Sequence, residues 1–254
     1  MIQVMLVPET GKKLIGKATA AHPAIKKALK SGTVVIIGGT TNGYVAEEIL
    51  KSIGQEERFS RAGFFRGVTV PRHLPADATG RQPEDKAFPG DVIIVNGKWL
   101  KGKTIFDAAD SLKNGDVIVK GANAVDVPRR RAGILIGHPH GGTVMAALRA
   151  VIGRRVKMII PVGLEKRVYG DLDALAEEVN APGQKGLRLL PVMGEIITEI
   201  DAICMLTGAK AELFAAGGIC GAEGAVWIAL CGTPEQEKKA KEIVDRIEKI
   251  PGNR

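Results

Sequence analysis

One stretch decides the fold, and it runs from Ser31 to Leu50 as SGTVVIIGGTTNGYVAEEIL. A run of β-branched apolar residues breaks at Gly38 and Gly39, and an amphipathic pattern begins after them. This order predicts a strand, a tight loop and a helix N-terminus. Unpaired backbone N–H groups and the positive end of the helix dipole would then point at one place, where glycines let a ligand approach the backbone. The stretch therefore predicts a site for a phosphate or a carboxylate.

Apolar runs and helical patterns alternate on either side of this stretch. We expect strands at residues 2–7, 33–37, 91–95, 116–119, 132–136 and 156–162, and helices at residues 24–30, 43–52, 105–112, 143–152 and 172–179. Strands that are covered on both faces read as continuous Val/Ile runs. The alternation therefore predicts an α/β ligand-binding domain over residues 1–185, with a Rossmann-like parallel sheet and helices on both faces.

The pattern changes after the loop at residues 180–186. Beyond it we expect a strand at 187–192, a helix at 194–206, a hairpin of strands at 211–216 and 225–231, and a helix at 234–250. Thr233 as N-cap and Pro234 at the first position are a typical helix start. This β-α-β-β-α order predicts a smaller α+β unit, ferredoxin-like, over residues 186–254.

Composition and charge limit the classes of function. The chain has 254 residues, of which 45% are hydrophobic and 25% charged, and this is typical of a globular protein. Apolar runs fall short of the roughly 20 residues of a membrane span, and the N-terminus lacks a signal-peptide pattern, so we expect a cytoplasmic protein without a membrane partner. The net charge of +8 is scattered and not interleaved with aromatic residues, which disfavours nucleic-acid binding.

Three loops carry candidate ligand-binding residues. The first contains Gly39, Thr40, Thr41 and Asn42, whose backbone N–H groups and side chains would cradle a phosphate. The alternative is a structural turn in which Thr41 or Asn42 caps the helix.

The second loop follows the strand at residues 116–119, and ligands bind at such strand ends in open α/β sheets. Lys120, Gly121 and Asn123 are its predicted ligand-binding residues, with Asn123 and Asp126 orienting substrate hydroxyls. The alternative is a loop held by Asx-type hydrogen bonds. Lys166 follows a later strand end and is expected at the same edge.

The third loop contains His138 and His140, followed by Gly141, Gly142 and Thr143 at the start of a helix. If the protein is an enzyme, His138 or His140 is the best candidate for an acid–base catalyst, with Asp126 as a candidate partner. The His-x-His spacing would let the two side chains share a metal, but a third ligand is not evident, so no metal site is predicted. The alternative is a structural loop.

Two further segments suggest sites. Residues 97–104, GKWLKGKT, match the phosphate-loop pattern G-x-x-x-x-G-K-[ST], whereas Asn96-Gly97 is a typical hairpin turn. Residues 71–90 have neither helical nor strand periodicity. Arg72, His73 and Arg81 in that segment would close over an anion if it is a lid, and a surface excursion or an oligomer contact is the alternative.

The chain resembles the superfamily of ribose-5-phosphate isomerase A, glucosamine-6-phosphate deaminase and CoA-transferases. The resemblance lies in Ala24-Ile25, Gly32, the apolar strand, and Gly39 to Asn42 before a helix. Residues 121–126, GANAVD, are similar to the Gly-Ala-Asp-Glu-hydrophobic-Asp loop of that superfamily. An α/β domain joined to a ferredoxin-like unit also resembles the isomerase.

Departures from the isomerase limit what the resemblance implies. Lys120 stands where the isomerase has an acidic residue, and its Asp-Glu pair corresponds here to Asn123-Ala124. Its catalytic Lys and Glu base have no counterpart around Gly141-Gly142. Aldose–ketose isomerisation needs a carboxylate that moves a proton between carbons, so the resemblance implies a similar scaffold and the isomerase reaction is not expected.

Our leading hypothesis is a protein that binds a small phosphorylated or anionic metabolite at the carboxyl edge of the sheet. If it is an enzyme, sugar-phosphate or acyl-transfer chemistry is expected, with Lys120 or Lys166 as an electrostatic stabiliser. A non-catalytic effector-binding or assembly protein is the first alternative, and a nucleotide hydrolase that uses residues 97–104 is the second. We also expect a homo-oligomer, and the sequence leaves the cofactor unknown.

Overall fold

A computed structural model describes residues 1–67, 69–70 and 88–249. The strands are β1 (Ile2–Leu6), β2 (Thr33–Ile36), β3 (Val92–Val95), β4 (Lys98–Trp99), β5 (Val117–Val119), β6 (Ala124–Asp126), β7 (Arg131–Ile136), β8 (Lys157–Pro161), β9 (Arg188–Val192), β10 (Glu195–Ile197), β11 (Lys210–Ala216) and β12 (Val226–Cys231). The helices are α1 (Pro8–Ala21), α2 (Pro23–Ser31), α3 (Thr40–Ser52), α4 (Ile105–Ala108), α5 (Gly142–Arg154), α6 (Leu172–Val179), α7 (Glu199–Thr207) and α8 (Pro234–Glu248).

A six-stranded sheet with the order β10-β8-β5-β2-β3-β4 forms the centre of the molecule. Its strands β10, β8, β5 and β2 are parallel, which confirms the predicted α/β class with a mostly parallel sheet. The sheet was expected to be parallel at residues 91–95, and this was wrong, because β3 is antiparallel to β2. The carboxylate of Asp91 accepts a hydrogen bond from the Gly38 amide at the carboxyl end of β2, so β3 starts there and runs back.

Both faces of this sheet are covered. Successive residues of β2 alternate between two buried clusters, with Val34 and Ile36 in one and Val35 and Ile37 in the other. The first cluster includes apolar residues of α1, α3, α7 and α8, and the second includes those of α5. This two-sided burial explains the continuous Val/Ile run of β2.

The strand order reverses between β2 and β5. The chain continues from β2 to β3 and β4 on one side, whereas from β5 it continues to β8 and β10 on the other. Helices α3 and α5 begin after β2 and β7, near the carboxyl ends of the parallel strands. In open α/β sheets such a reversal leaves a crevice at the strand ends where ligands bind.

Two smaller antiparallel sheets flank the centre, with the orders β1-β12-β11 and β6-β7-β9. The predicted hairpin of residues 211–216 and 225–231 is confirmed as β11 and β12. A ferredoxin-like unit is not confirmed, because β9 pairs with β7 and β1 takes a place beside β12. The pairings β1–β12, β7–β9 and β8–β10 connect residues on either side of the predicted boundary at residue 185.

Several local predictions need correction. The helix expected at residues 194–206 begins only at Glu199, because residues 195–197 form β10 beside β8 and Thr198 caps the helix. Residues 124–126 form β6 instead of continuing a loop. The predicted start of α8 is confirmed, since the Thr233 hydroxyl accepts a hydrogen bond from the Gln236 amide.

Within the described residues, every helix is too short or too polar to cross a bilayer.

Candidate functional site

A cavity of about 480 Å³ opens where the strand order reverses. All three predicted loops reach it, and so does Lys166. The predicted residues that line it are Gly39, Thr40, Thr41, Asn42, Lys120, Gly121, Asn123, His138, Gly141, Gly142, Thr143 and Lys166. Residues that are far apart in the sequence therefore surround one space.

The N-terminus of α3 forms one wall of the cavity. Gly39 is the N-cap and α3 has no side-chain cap, so the structure does not show Thr41 or Asn42 in that role. The first amides of a helix have no acceptor within the helix. Their donors at Thr40, Thr41 and Asn42 are therefore placed to bind an anion in the cavity.

Asn42 is almost fully buried, with 1% of its surface exposed. Its Nδ2 donates to the carbonyl oxygens of Ile37 at 2.7 Å and Val119 at 3.3 Å, which ties together the ends of β2 and β5. These bonds fix the amide, and they leave its Oδ1 buried without a partner among the described residues. Such an acceptor is costly unless a donor reaches it. The Thr41 hydroxyl is also buried and unpartnered among these residues.

The N-terminus of α5 forms a second wall. Gly141 and Gly142 have φ angles of 74° and 61°, a left-handed conformation that favours glycine at this turn. Helix α5 has no side-chain cap, and the Gly141 amide is occupied by the His138 carbonyl at 2.9 Å. The cavity thus receives the positive ends of two helices of 13 residues each.

Two lysines add positive charge. The Lys120 Nζ donates to the Gly121 carbonyl at 3.3 Å, and the Lys166 Nζ donates to the Ala122 carbonyl at 3.0 Å. Burial lowers the pKa of Lys120 to about 8, against the opposing charge of Asp91. Burial also lowers the pKa of Lys166, and Glu165 opposes it. Both lysines are held against backbone carbonyls of the same loop, which fixes their stems beside the cavity.

Arg66 and Asp91 are site residues that the sequence did not single out. Arg66 lines the cavity, with its guanidinium over the Phe88 ring at 4.1 Å and 3.7 Å from an Asp91 oxygen. Asp91 also accepts from the amides of Gly38 at 2.9 Å and Ile105 at 2.8 Å. Burial raises the pKa of Asp91, and Arg66 opposes this shift. Residues 65–70 have no periodicity or motif that would indicate a role for Arg66. Asp91 could have been found from the sequence, because it is an acid directly before the apolar run of β3.

Glu199 lies behind Lys166 and away from the cavity lining. Only 1% of its surface is exposed, and its Oε2 accepts a hydrogen bond from the Leu164 amide at 2.9 Å. Burial raises the pKa of this carboxyl to about 7. A buried acid that titrates near neutrality therefore adjoins one of the two cavity lysines.

His140 and Asp126, two of the predicted catalytic residues, are absent from the described residues that line the cavity. Asp126 is buried in β6, and its carboxylate accepts from the backbone amide and the Nη1 of Arg129 at 3.1 and 3.0 Å. His140 is exposed, and its amide donates to the His138 Nδ1 at 3.1 Å. His138 is thus the histidine in position to act in the cavity.

The match to a phosphate loop lies elsewhere and forms a hairpin. Asn96 and Gly97 have φ angles of 48° and 76° and make the turn between β3 and β4. The Thr104 amide donates to the carboxylate of Asp107 at 2.8 Å, as part of a capping box on α4. Lys103 is exposed beside the same carboxylate. The hairpin alternative is therefore the one that the structure shows.

Two other features of the sequence were the expected lid and the His-x-His pair. Arg72, His73 and Arg81, the residues of the expected lid, lie outside the described residues. The rings of His138 and His140 are 5.5 Å apart, and within residues 1–67, 69–70 and 88–249 no group of three or more His, Cys, Asp or Glu side chains is placed to hold a metal.

Comparison of the chain with family models, with curated proteins and with solved structures finds no match. The resemblance to the isomerase and CoA-transferase superfamily therefore stays a prediction, and the site is interpreted from its own geometry.

Proposed function

We propose that this protein binds a small phosphorylated metabolite in the cavity between the N-termini of α3 and α5. One observation carries the proposal: two uncapped helix N-termini and two lysines, Lys120 and Lys166, surround the same 480 Å³ space. Each helix terminus favours an anion, and the ammonium groups add charge-assisted hydrogen bonds. A dianionic phosphate group fits this concentration of donors better than a single carboxylate.

The unpartnered Oδ1 of Asn42 narrows the class of ligand. It is an acceptor with almost no exposed surface, so a ligand group that reaches it would have to be a donor such as a hydroxyl group. Apolar residues of β7, Ile134 and Ile136, line the cavity and would contact a carbon chain. A hydroxylated carbon chain with a phosphate group satisfies all three features, which supports sugar-phosphate chemistry over acyl transfer.

Titration of the purified protein with inorganic phosphate, followed by isothermal calorimetry, tests the binding proposal. We expect one saturable site per chain with a dissociation constant of about 1 mM or below. A double variant, Lys120→Met with Lys166→Met, removes both ammonium groups and is expected to abolish the signal. Absence of saturable binding by the native protein contradicts the proposal.

Catalysis and effector binding predict different behaviour of His138. A metabolite that copurifies with the protein is identified by mass spectrometry and then supplied to the variant His138→Gln. For an enzyme, turnover falls while the ligand is still bound. A native protein that binds this metabolite without converting it supports the effector-binding alternative.

We also propose that the centre of the molecule is Rossmann-like. Parallel strands β2, β5, β8 and β10 with helices on both faces support a Rossmann-like centre. The homo-oligomer and the cytoplasmic location stay predictions.

A further inference from the structure

Lys120 occupies a position in the cavity that suits a second role besides binding an anion. It follows β5 directly, at the reversal of strand order, and its half-buried side chain lines the cavity. The α3 terminus lies on one side, since a Cβ on Gly121 would be 3.9 Å from the Asn42 Oδ1. Lys120, whose Nζ donates to the Gly121 carbonyl at 3.3 Å, therefore lines the same cavity as the α3 terminus, where we propose that the phosphate binds.

Burial of Lys120 favours its neutral amine, and the nearby charges act on its pKa in both directions. The groups that face it are Asp91 before β3, Lys166 after β8, and Arg66. Asp91 divides its charge among two backbone amides and Arg66, while Lys166 and Arg66 repel the ammonium form. Desolvation is the largest effect on the pKa of Lys120, Asp91 opposes it, and the net result is a pKa of about 8. An amine that is desolvated and next to other cations is activated as a nucleophile.

We propose that Lys120 forms an imine with the carbonyl carbon of a phosphorylated aldehyde or ketone bound in this cavity. The inference rests on the proposed function, and it adds the substrate class and a covalent step. The phosphate would lie at the helix N-termini, and the carbonyl group would face the Lys120 Nζ. A hydroxyl group next to the carbonyl would donate to the Asn42 Oδ1.

The chemistry needs no further reactant. The lone pair of the neutral amine attacks the carbonyl carbon, the C=O π electrons move to oxygen, and a proton passes from nitrogen to that oxygen to give a carbinolamine. The nitrogen lone pair then forms the C=N bond as the hydroxyl group, protonated by His138, leaves as water and gives the iminium ion; return of its N–H proton to His138 gives the imine. Nothing is oxidised or reduced. His138 lines the same cavity and is the side chain that we assign to protonate the leaving hydroxyl.

Reductive trapping of the full chain tests the inference. The protein is incubated with glycolaldehyde phosphate at pH 8, reduced with sodium borohydride, and analysed by intact mass and peptide mapping. We expect one adduct per chain, located on Lys120. Inorganic phosphate is expected to suppress it, and glycolaldehyde without the phosphate group is expected to label Lys120 at least tenfold more slowly.

Variants and the pH profile supply the controls. Lys120→Arg is expected to remove the specific adduct, whereas Lys103→Arg, at an exposed lysine of the β3–β4 hairpin, leaves its rate unchanged. The trapping rate of the native chain is expected to rise with pH and level off above about 8, the pKa of Lys120. Exposed lysines, with ordinary pKa values of about 10.4, continue to gain reactivity at higher pH.

The outcomes separate the two proposals. Saturable phosphate binding without an adduct on Lys120 overturns the imine and leaves the binding site intact. Adducts spread over exposed lysines, or an unchanged rate in Lys120→Arg, also overturn it. Peptide mapping of the native chain gives this answer even if the variant fails to fold. Absence of phosphate binding by the native chain contradicts the proposed function itself.

Discussion

Two glycine-bearing segments of this chain, residues 38–43 and residues 97–104, have similar sequence patterns and different structures. Each follows an apolar strand and precedes a helical pattern. The first leads into a helix of 13 residues whose uncapped N-terminus faces a cavity. The second closes a hairpin at Asn96-Gly97 and reaches a helix of four residues that Thr104 and Asp107 cap.

The difference comes from the strand that pairs next. The carboxyl end of β2 stays open because its neighbour β5 is parallel to it. From β5 the chain continues to β8, on the side of β5 that faces away from β2. The end of β3 is closed at once by β4, which is antiparallel. We therefore expect a glycine loop to indicate a phosphate site only where a parallel neighbouring strand leaves the strand end open and a full helix follows.

The largest expected effect is a loss of phosphate affinity, and it is tested by replacing one lysine in each region. Lys120→Met is expected to weaken phosphate binding about 10- to 100-fold, because a hydrogen bond to a charged group contributes about 1.5–3 kcal/mol. Lys103→Met is expected to leave the affinity unchanged, since Lys103 is exposed beside Asp107. Calorimetric titration of both variants checks this. Equal losses in the two variants would remove the distinction between the regions.

The next effect is a pH dependence confined to the cavity. Sulfate is a suitable probe because its charge is constant over this range. The pKa of Lys120 is about 8, so its charge is present below that pH and is lost as the pH rises. Sulfate affinity should fall by up to about tenfold per pH unit above pH 8 in the native chain. In Lys120→Met the slope should be shallower, and an identical slope would contradict the assignment.

The smallest effect compares two glycines with similar backbone conformations. Gly142 and Gly97 have φ angles of 61° and 76°, so alanine at either position is expected to cost about 1–2 kcal/mol of unfolding free energy. Only Gly142→Ala should also weaken phosphate binding, by about fivefold, the equivalent of one displaced hydrogen bond. Chemical denaturation and calorimetry measure the two quantities separately. Weaker phosphate binding in Gly97→Ala would contradict the proposal that the anion binds at the N-termini of α3 and α5.

Local patterns predicted much of the central sheet and most of its helices. The strands at residues 33–37 and 116–119 were evident because each is apolar throughout, and the loops after them reach the cavity. Helix α1 was not predicted, although Pro8 and Glu9 are a usable start signal. It packs closely on α3, and a Cβ on Gly16 would be 2.9 Å from the backbone of Tyr44. Because a glycine lies in the face of α1 that contacts α3, the hydrophobic periodicity of α1 is weak, and the helix was missed.

The parts that failed depend on long-range pairing. No local pattern shows that residues 2–6 pair with β12, or that β9 leaves the C-terminal strands to pair with β7. Asp126 was expected in a loop, whereas its strand pairing with β7 and its bonds to Arg129 direct it elsewhere. Partner choice between strands is set by packing across the whole fold, which a single sequence displays only indirectly.

The most direct test of the central claim is an amide NMR titration of the native protein with inorganic phosphate. Saturable shifts are expected at the backbone N–H groups of Thr40, Thr41 and Asn42 in α3 and at Gly142 in α5, with residues 97–104 unaffected. Shifts at residues 97–104, or no saturable shift at the two helix N-termini, would contradict the account.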